Sequence, residues 1–130
     1  MSVGIALIAH DGIGPALAGT AHFVLGELPL PLRVVVVSRD SRADEILERL
    51  QAVVAELDQG DGVLILTDMY GATPTNIACQ IKHAGPVRIV TGVNLPMLLH
   101  ILNYPDRNLN AMATTALEGG HQGVRAVEFE

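Results

Sequence analysis

LIAHDGIGPAL, residues 7–17, joins an apolar run to a glycine turn, with a histidine and an aspartate at the junction. Upstream, Val3 to Ala9 has the length and unbroken apolarity of a strand buried on both faces, as strands of parallel sheets are. Downstream, Gly14 to Gly26 places Leu17, Ala21, Val24 and Leu25 along one helical face. A buried strand that turns through glycine into a helix is a βα unit, and a chain built of such units alternates strand and helix throughout.

The same alternation continues to the end of the chain. Arg33 to Val37 carries four consecutive valines, which suits a central or near-central strand. Asp40 and Ser41 are candidate caps for a helix from Arg42 to Leu57, where Ile46, Leu47, Leu50, Val53, Val54 and Leu57 repeat at helical spacing. Val63 to Thr67 reads as a third strand ending in TDMYGATPTN, where Thr73 can cap a helix that starts at Pro74 and reaches about Ala84. Val87 to Val90 is a fourth strand; Asn94 and Pro96 then repeat the cap-and-proline pattern before a short helix, and a last helix covers about Arg107 to Gly119. The tail, Gly123 to Phe129, has strand character without an obvious pairing partner. The expected fold is α/β: a single domain over residues 1–130 with a doubly wound, mostly parallel sheet flanked by helices.

Composition agrees with that class. A chain of 130 residues is one domain long, and with 49% apolar but only 3% aromatic residues its core must be built from Val, Ile, Leu and Ala. The formal net charge of −6 and the lack of Lys/Arg clusters remove the electrostatic footprint of nucleic-acid binding. The lone Cys79, in NIACQI, is expected to be a small buried thiol, and its usage fits a reducing compartment. VGIALIA has no basic residues before it and is too short to span a bilayer, so a strand of a cytoplasmic protein without membrane insertion is expected.

Open parallel sheets bind ligands beyond the carboxyl ends of their strands. His10, the group Ser38, Arg39 and Asp40, then Asp68, and finally Thr91 to Asn94 all fall at such ends. A histidine there can be a general base, a metal ligand, a nucleophile, or merely a polar turn residue. If strands one and three are neighbours, Asp68 can accept the Nδ1–H of His10 and leave Nε2 unprotonated and nucleophilic. A phosphoryl group on Nε2 would need hydrogen-bond donors rather than a strong base; Thr73 and the glycine turns at Gly12 and Gly71 are the candidates. Arg39 is an auxiliary candidate for phosphate contact, with Asn94 and Asp11 as further residues at the same edge. No residue stands at metal-ligand spacing from His10, no G-x-S-x-G elbow or P-loop occurs, and no cofactor is implied. His22, His83, His100 and His121 fall within or at the ends of the expected helices, where solvated positions are the ordinary reading.

Four blocks in order, IALIAHDGIGPALAGTA, ILTDMYGATPTNIA, IVTGVNLPMLL and EGGHQGVRAVEF, resemble the mannose-type enzyme IIA domains of the bacterial sugar phosphotransferase system. The resemblance implies that His10 accepts a phosphoryl group from the histidine phosphocarrier protein and passes it to a IIB-type partner in sugar transport, with Asp68 orienting it. It places Thr73 at the hydroxyl position of the family's Gly-Gly-Ser-Pro-Phe-Asn turn, and it implies a homodimer in which Val124 to Phe129 adds a strand to the partner's sheet. With no IIB segment after the last block, transfer through separate proteins is expected. Departures are Asp11, where glycine often succeeds the histidine, and Ala72 and Thr75 within the turn. Alternative readings are a stand-alone regulatory IIA-like protein, a phosphocarrier subunit for dihydroxyacetone kinase, and a binding module whose histidine has lost its role.

Overall fold

A computed structural model describes residues 2–129. The elements run β1 (Gly4–His10), α1 (Ile13–Leu25), β2 (Leu32–Val37), α2 (Ala43–Leu57), β3 (Val63–Thr67), α3 (Thr73–Ala78), β4 (Val87–Val90), α4 (Leu95–Leu102) and α5 (Leu109–Gln122). The four strands form one parallel sheet in the order β2-β1-β3-β4. Strands one and three are therefore neighbours, paired from Gly4 opposite Val63 to Ile8 opposite Thr67.

Side-chain alternation along β1 divides the core into two layers. Ile5 and Leu7, with Leu64 and Leu66 of β3, face the layer that holds Ala21, Leu98, Ile101 and Met112 from α1, α4 and α5. Ala6 and Ile8, with Val63 and Ile65, face Ile46, Leu50, Val54 and Ile77 from α2 and α3. Glycine permits a close approach of helix to sheet: a Cβ on Gly14 would meet Val34 Cγ1 at 2.7 Å, so α1 can lie directly on β2 only because position 14 is bare.

The structure corrects several expectations. β2 is an edge strand rather than a central one, because the α2 crossover carries the chain back across β1 to β3. Its valines are accordingly unequal: Val35 and Val37 are buried against the α2 layer, whereas Val34 and Val36 are half-buried. Val24 lies on the outer face of α1 with 54% exposure. Ser41 does not cap α2, since its Oγ accepts the Ser38 N–H at 2.9 Å; the helix opens at Ala43 with no side-chain cap from Asp40 either. α3 stops at Ala78, where the chain tightens through Gln80 N–H to Ile77 O and Ile81 N–H to Ala78 O, and the Lys82 N–H is taken by Gln51 Oε1 at 3.1 Å. Ile77 and Ala78 occupy the inward side, which turns Cys79 out, exposed rather than buried. Val124 to Phe129 pairs with no strand among the described residues.

His83 is also not a solvated helical residue. It lies beyond α3, and its Nε2 is 2.7 Å from Asp58 Oδ2, both side chains being mostly buried. Asp58 Oδ1 also accepts the N–H groups of Gly60 and Gly62, so this carboxylate ties the end of α2 to the entry of β3 and to the α3–β4 connection. The hydrogen bond from His83, followed by that from Gly60, holds the Asp58 carboxyl below its ordinary value. Asp58→Ala is expected to lower unfolding stability by about 1–3 kcal/mol, the usual cost of orphaning buried donors around a lost charged acceptor. Urea denaturation checks this, and a midpoint equal to that of the unsubstituted chain would show that the contact contributes nothing.

Candidate functional site

His10 is the last residue of β1 and Asp68 the first after β3, so adjacent parallel strands deliver both to the carboxyl edge. Asp68 Oδ2 accepts the backbone N–H of His10 at 3.0 Å and lies 2.6 Å from its Nδ1. An ionised carboxylate can only accept, so Nδ1 carries the proton and the lone pair resides on Nε2. The Asp68 side chain is 7% exposed, against 48% for His10. One partner is thus fixed inside the protein while the other reaches outward. Burial is the largest single influence on Asp68 and opposes its ionisation, yet the His10 backbone N–H, the ring contact and the electrostatic influence of the ring together hold the carboxyl below its ordinary value.

Asp68 Oδ1 is buried and has no hydrogen-bond partner among the described residues. The two hydrogen bonds that the carboxylate accepts from another residue both come from His10. Behind it, the turn after β3 is held by a buried hydroxyl pair that sequence reasoning missed. Thr75 Oγ1 donates to Met69 O at 2.6 Å, which leaves the Thr67 hydroxyl to donate to Thr75 Oγ1 at 2.6 Å. The legible signal was a threonine between Pro74 and Ile77 in the first turn of α3, where a buried hydroxyl calls for a hydrogen-bond partner.

His10 opens onto a cleft of about 490 Å³ whose lining also includes Asp11, Ser38, Arg39, Ser41 and Thr73. Thr73 makes no cap to α3, contrary to the reading of it as an N-cap, so its hydroxyl is left to the cleft. Gly12, with φ +88°, allows the chain to reverse from β1 into α1 immediately after His10 and Asp11. Gly71, with φ +80°, shapes the turn between Asp68 and Thr73, and its carbonyl accepts from Asn76 Nδ2. Asn94 is employed elsewhere: its Oδ1 accepts the Met97 N–H at 2.8 Å, capping α4, and its Nδ2 donates to Gly120 O. It lines a separate cavity beside α5 and does not join the His10 cleft. No cluster of three or more His, Cys, Asp or Glu side chains suited to a metal ion occurs among the described residues. Nor is any helix among them long and apolar enough to cross a membrane.

The family EIIA-man, described as PTS system fructose IIA component, matches residues 4–116. The chain is 31% identical over 134 residues to the PTS system mannose-specific EIIAB component of Escherichia coli (strain K12), covering 98% of this chain and 40% of that protein. It thus spans well under half the length of that relative. Among solved structures, the mannose/sorbose specific IIA subunit of the phosphotransferase system from Enterococcus faecalis superposes with a TM-score of 0.87 at 23% identity, covering 100% of this chain and 98% of the other. The PTS IIA protein associated with the fucose utilization operon from Streptococcus pneumoniae gives 0.82 at 24% identity, over 97% and 96% of the two chains. At those identities the superpositions speak for the fold.

The contact between His10 and Asp68 has a pH signature. A carboxyl whose folded value is depressed contributes stability that is present above its unfolded value of about 3.9 and lost as pH falls through the lower folded value. The stability cost of Asp68→Asn is therefore expected to be larger at neutral pH than at about pH 2. Thermal unfolding across that range checks it; a cost independent of pH would mean that the carboxylate charge is not what His10 uses.

Proposed function

The chain belongs to the EIIA-man family of phosphotransferase-system components, and on that premise we propose that it is a phosphohistidine carrier whose acceptor atom is His10 Nε2. The observation that carries this reading is the 2.6 Å contact between Nδ1 and Asp68 Oδ2, which sets the tautomer needed for attack through the other nitrogen. In the transfer, a bond forms from Nε2 to phosphorus as the donor's N–P bond breaks, and the electron pair of that bond returns to the donor nitrogen. The phosphoryl group keeps its two negative charges. The proton on Nδ1 stays beside Asp68, whose carboxylate stabilises the positive ring formed by phosphorylation.

Thr73 would donate its hydroxyl to a phosphoryl oxygen, and the turn at Gly12 would present backbone N–H groups at the start of α1. The histidine phosphocarrier protein is the proposed donor and a IIB-type domain of a sugar-transport system the proposed recipient. A dihydroxyacetone kinase subunit draws no support from these relatives. A binding module with an idle histidine is disfavoured by the buried carboxylate that His10 engages through both ring and backbone. With phosphoenolpyruvate, enzyme I and the phosphocarrier protein, intact mass is expected to show one acid-labile phosphoryl adduct, absent from His10→Ala. An equal adduct on that variant, or none on the unsubstituted chain beside a charged carrier, would overturn the reading.

A homodimer is part of the same proposal. β4 has a neighbour on one side only, and Val124, Val127 and Phe129 are 76%, 80% and 87% exposed in the single chain. A tail of strand composition and an open sheet edge are complementary when two copies exchange them. Light scattering is expected to show a dimer that becomes a monomer when residues 124–130 are deleted; a monomer before deletion, or a dimer after it, would contradict the exchange.

A further inference from the structure

Two turns meet at the mouth of the cleft. The Asp11 N–H donates to Val37 O at 2.8 Å, locking the turn after β1 to the end of β2. The loop after β2 is itself closed on three hydrogen-bond contacts: Ser38 N–H to Ser41 Oγ at 2.9 Å, Ser38 Oγ with Ser41 Oγ at 2.9 Å, and Ser41 N–H to Ser38 O at 3.1 Å. Arg39 stands at the tip of this closed loop and lines the same cleft as His10 and Asp11. Arg42, three residues further on, is engaged by Asp44 and Glu45, whereas neither Arg39 nor Asp11 makes an ion pair among the described residues.

The cleft therefore contains one cation and one carboxylate, each uncommitted, on rigid turns flanking the nucleophilic ring. A dianionic group on His10 would be attracted by the guanidinium and opposed by the carboxylate. A guanidinium binds phosphoryl oxygens through a planar fork of donors and stays charged at every working pH. An unpaired carboxylate next to the same group costs the transfer some of that gain.

We propose that Arg39 is the phosphoryl-binding cation of this site, and that it is present to offset Asp11, which sits directly after the acceptor histidine. The proposal deepens the phosphohistidine reading and stands on it. It assigns Arg39 a direct contact with the transferred group and makes Asp11 an electrostatic brake, so that the two side chains together set how readily His10 is charged and how long it remains so.

The test uses the full chain and phosphoramidate, a small donor that phosphorylates histidine with release of ammonia and needs no docking surface. Adduct formation on His10 and its later hydrolysis are followed by intact mass. Arg39→Gln is expected to slow charging at least about tenfold at low salt, a conservative figure for removal of one charged donor from a transferred group. Arg39→Lys is expected to recover part of the rate, and the defect to narrow as salt screens the exposed guanidinium. Asp11→Asn is expected to speed charging alone and to restore most of the loss when combined with Arg39→Gln. Charging of Arg39→Gln within twofold of the unsubstituted chain would overturn the proposal. So would a defect seen only with the phosphocarrier protein, which would make Arg39 a docking residue. An unsubstituted chain that takes no phosphoryl group on His10 from either donor would instead remove the phosphohistidine reading, a result distinct from a normal rate in the arginine variant.

Discussion

One hydrogen bond organises the carboxyl edge of this sheet: the 2.6 Å contact between His10 Nδ1 and Asp68 Oδ2. It exists because β1 and β3 are adjacent and parallel, which brings the residue that ends one strand beside the residue just past the other. Its direction is fixed by chemistry, since a carboxylate held below its ordinary protonation range can only accept. Its rigidity comes from below, where Asp68 is buried and the Thr67–Thr75–Met69 relay holds the turn. His10 itself is half exposed and lines the cleft.

The division of burial across that bond is what a transfer site needs. On the proposed role, Asp68 must not move, because any displacement would alter the tautomer and orientation of the ring, and His10 must be reachable, because the phosphoryl group would arrive from another molecule. The two glycine turns serve the same division at the backbone level, Gly12 reversing the chain just after His10 and Asp11 and Gly71 bending it between the Asp68 carboxylate and Thr73. Charge is arranged more loosely, on the outer turns, where Asp11 and Arg39 face the cleft without partners among the described residues.

Much of this was legible in the sequence, for identifiable reasons. Strands β1 and β3 were marked by apolar runs with sharp polar ends, and the pairing of β1 with β3 comes directly from a doubly wound sheet. The same topology juxtaposes His10 and Asp68, which are 58 residues apart in the chain. Valine content alone did not reveal that β2 is an edge, because a strand backed by a helix on one face and half-covered on the other has the same composition as a central one. Side-chain capping was similarly ambiguous. Ser41 and Thr73 carry the right chemistry for caps, but competing partners or the geometry of the preceding turn decide its use, whereas Asn94 and Asn108 do cap α4 and α5. His83 illustrates the remaining gap: its partner Asp58 is 25 residues away, and nothing local in the sequence announces the pair.

The most direct test of the central claim is the nitrogen to which phosphorus is bonded. In the phosphorylated chain labelled with ¹⁵N-histidine, a ¹⁵N–³¹P coupling is expected at His10 Nε2, with a proton retained on Nδ1. Coupling at Nδ1, or at any of the other histidines, would contradict the arrangement in which Asp68 reserves one nitrogen of His10 and thereby assigns the chemistry to the other.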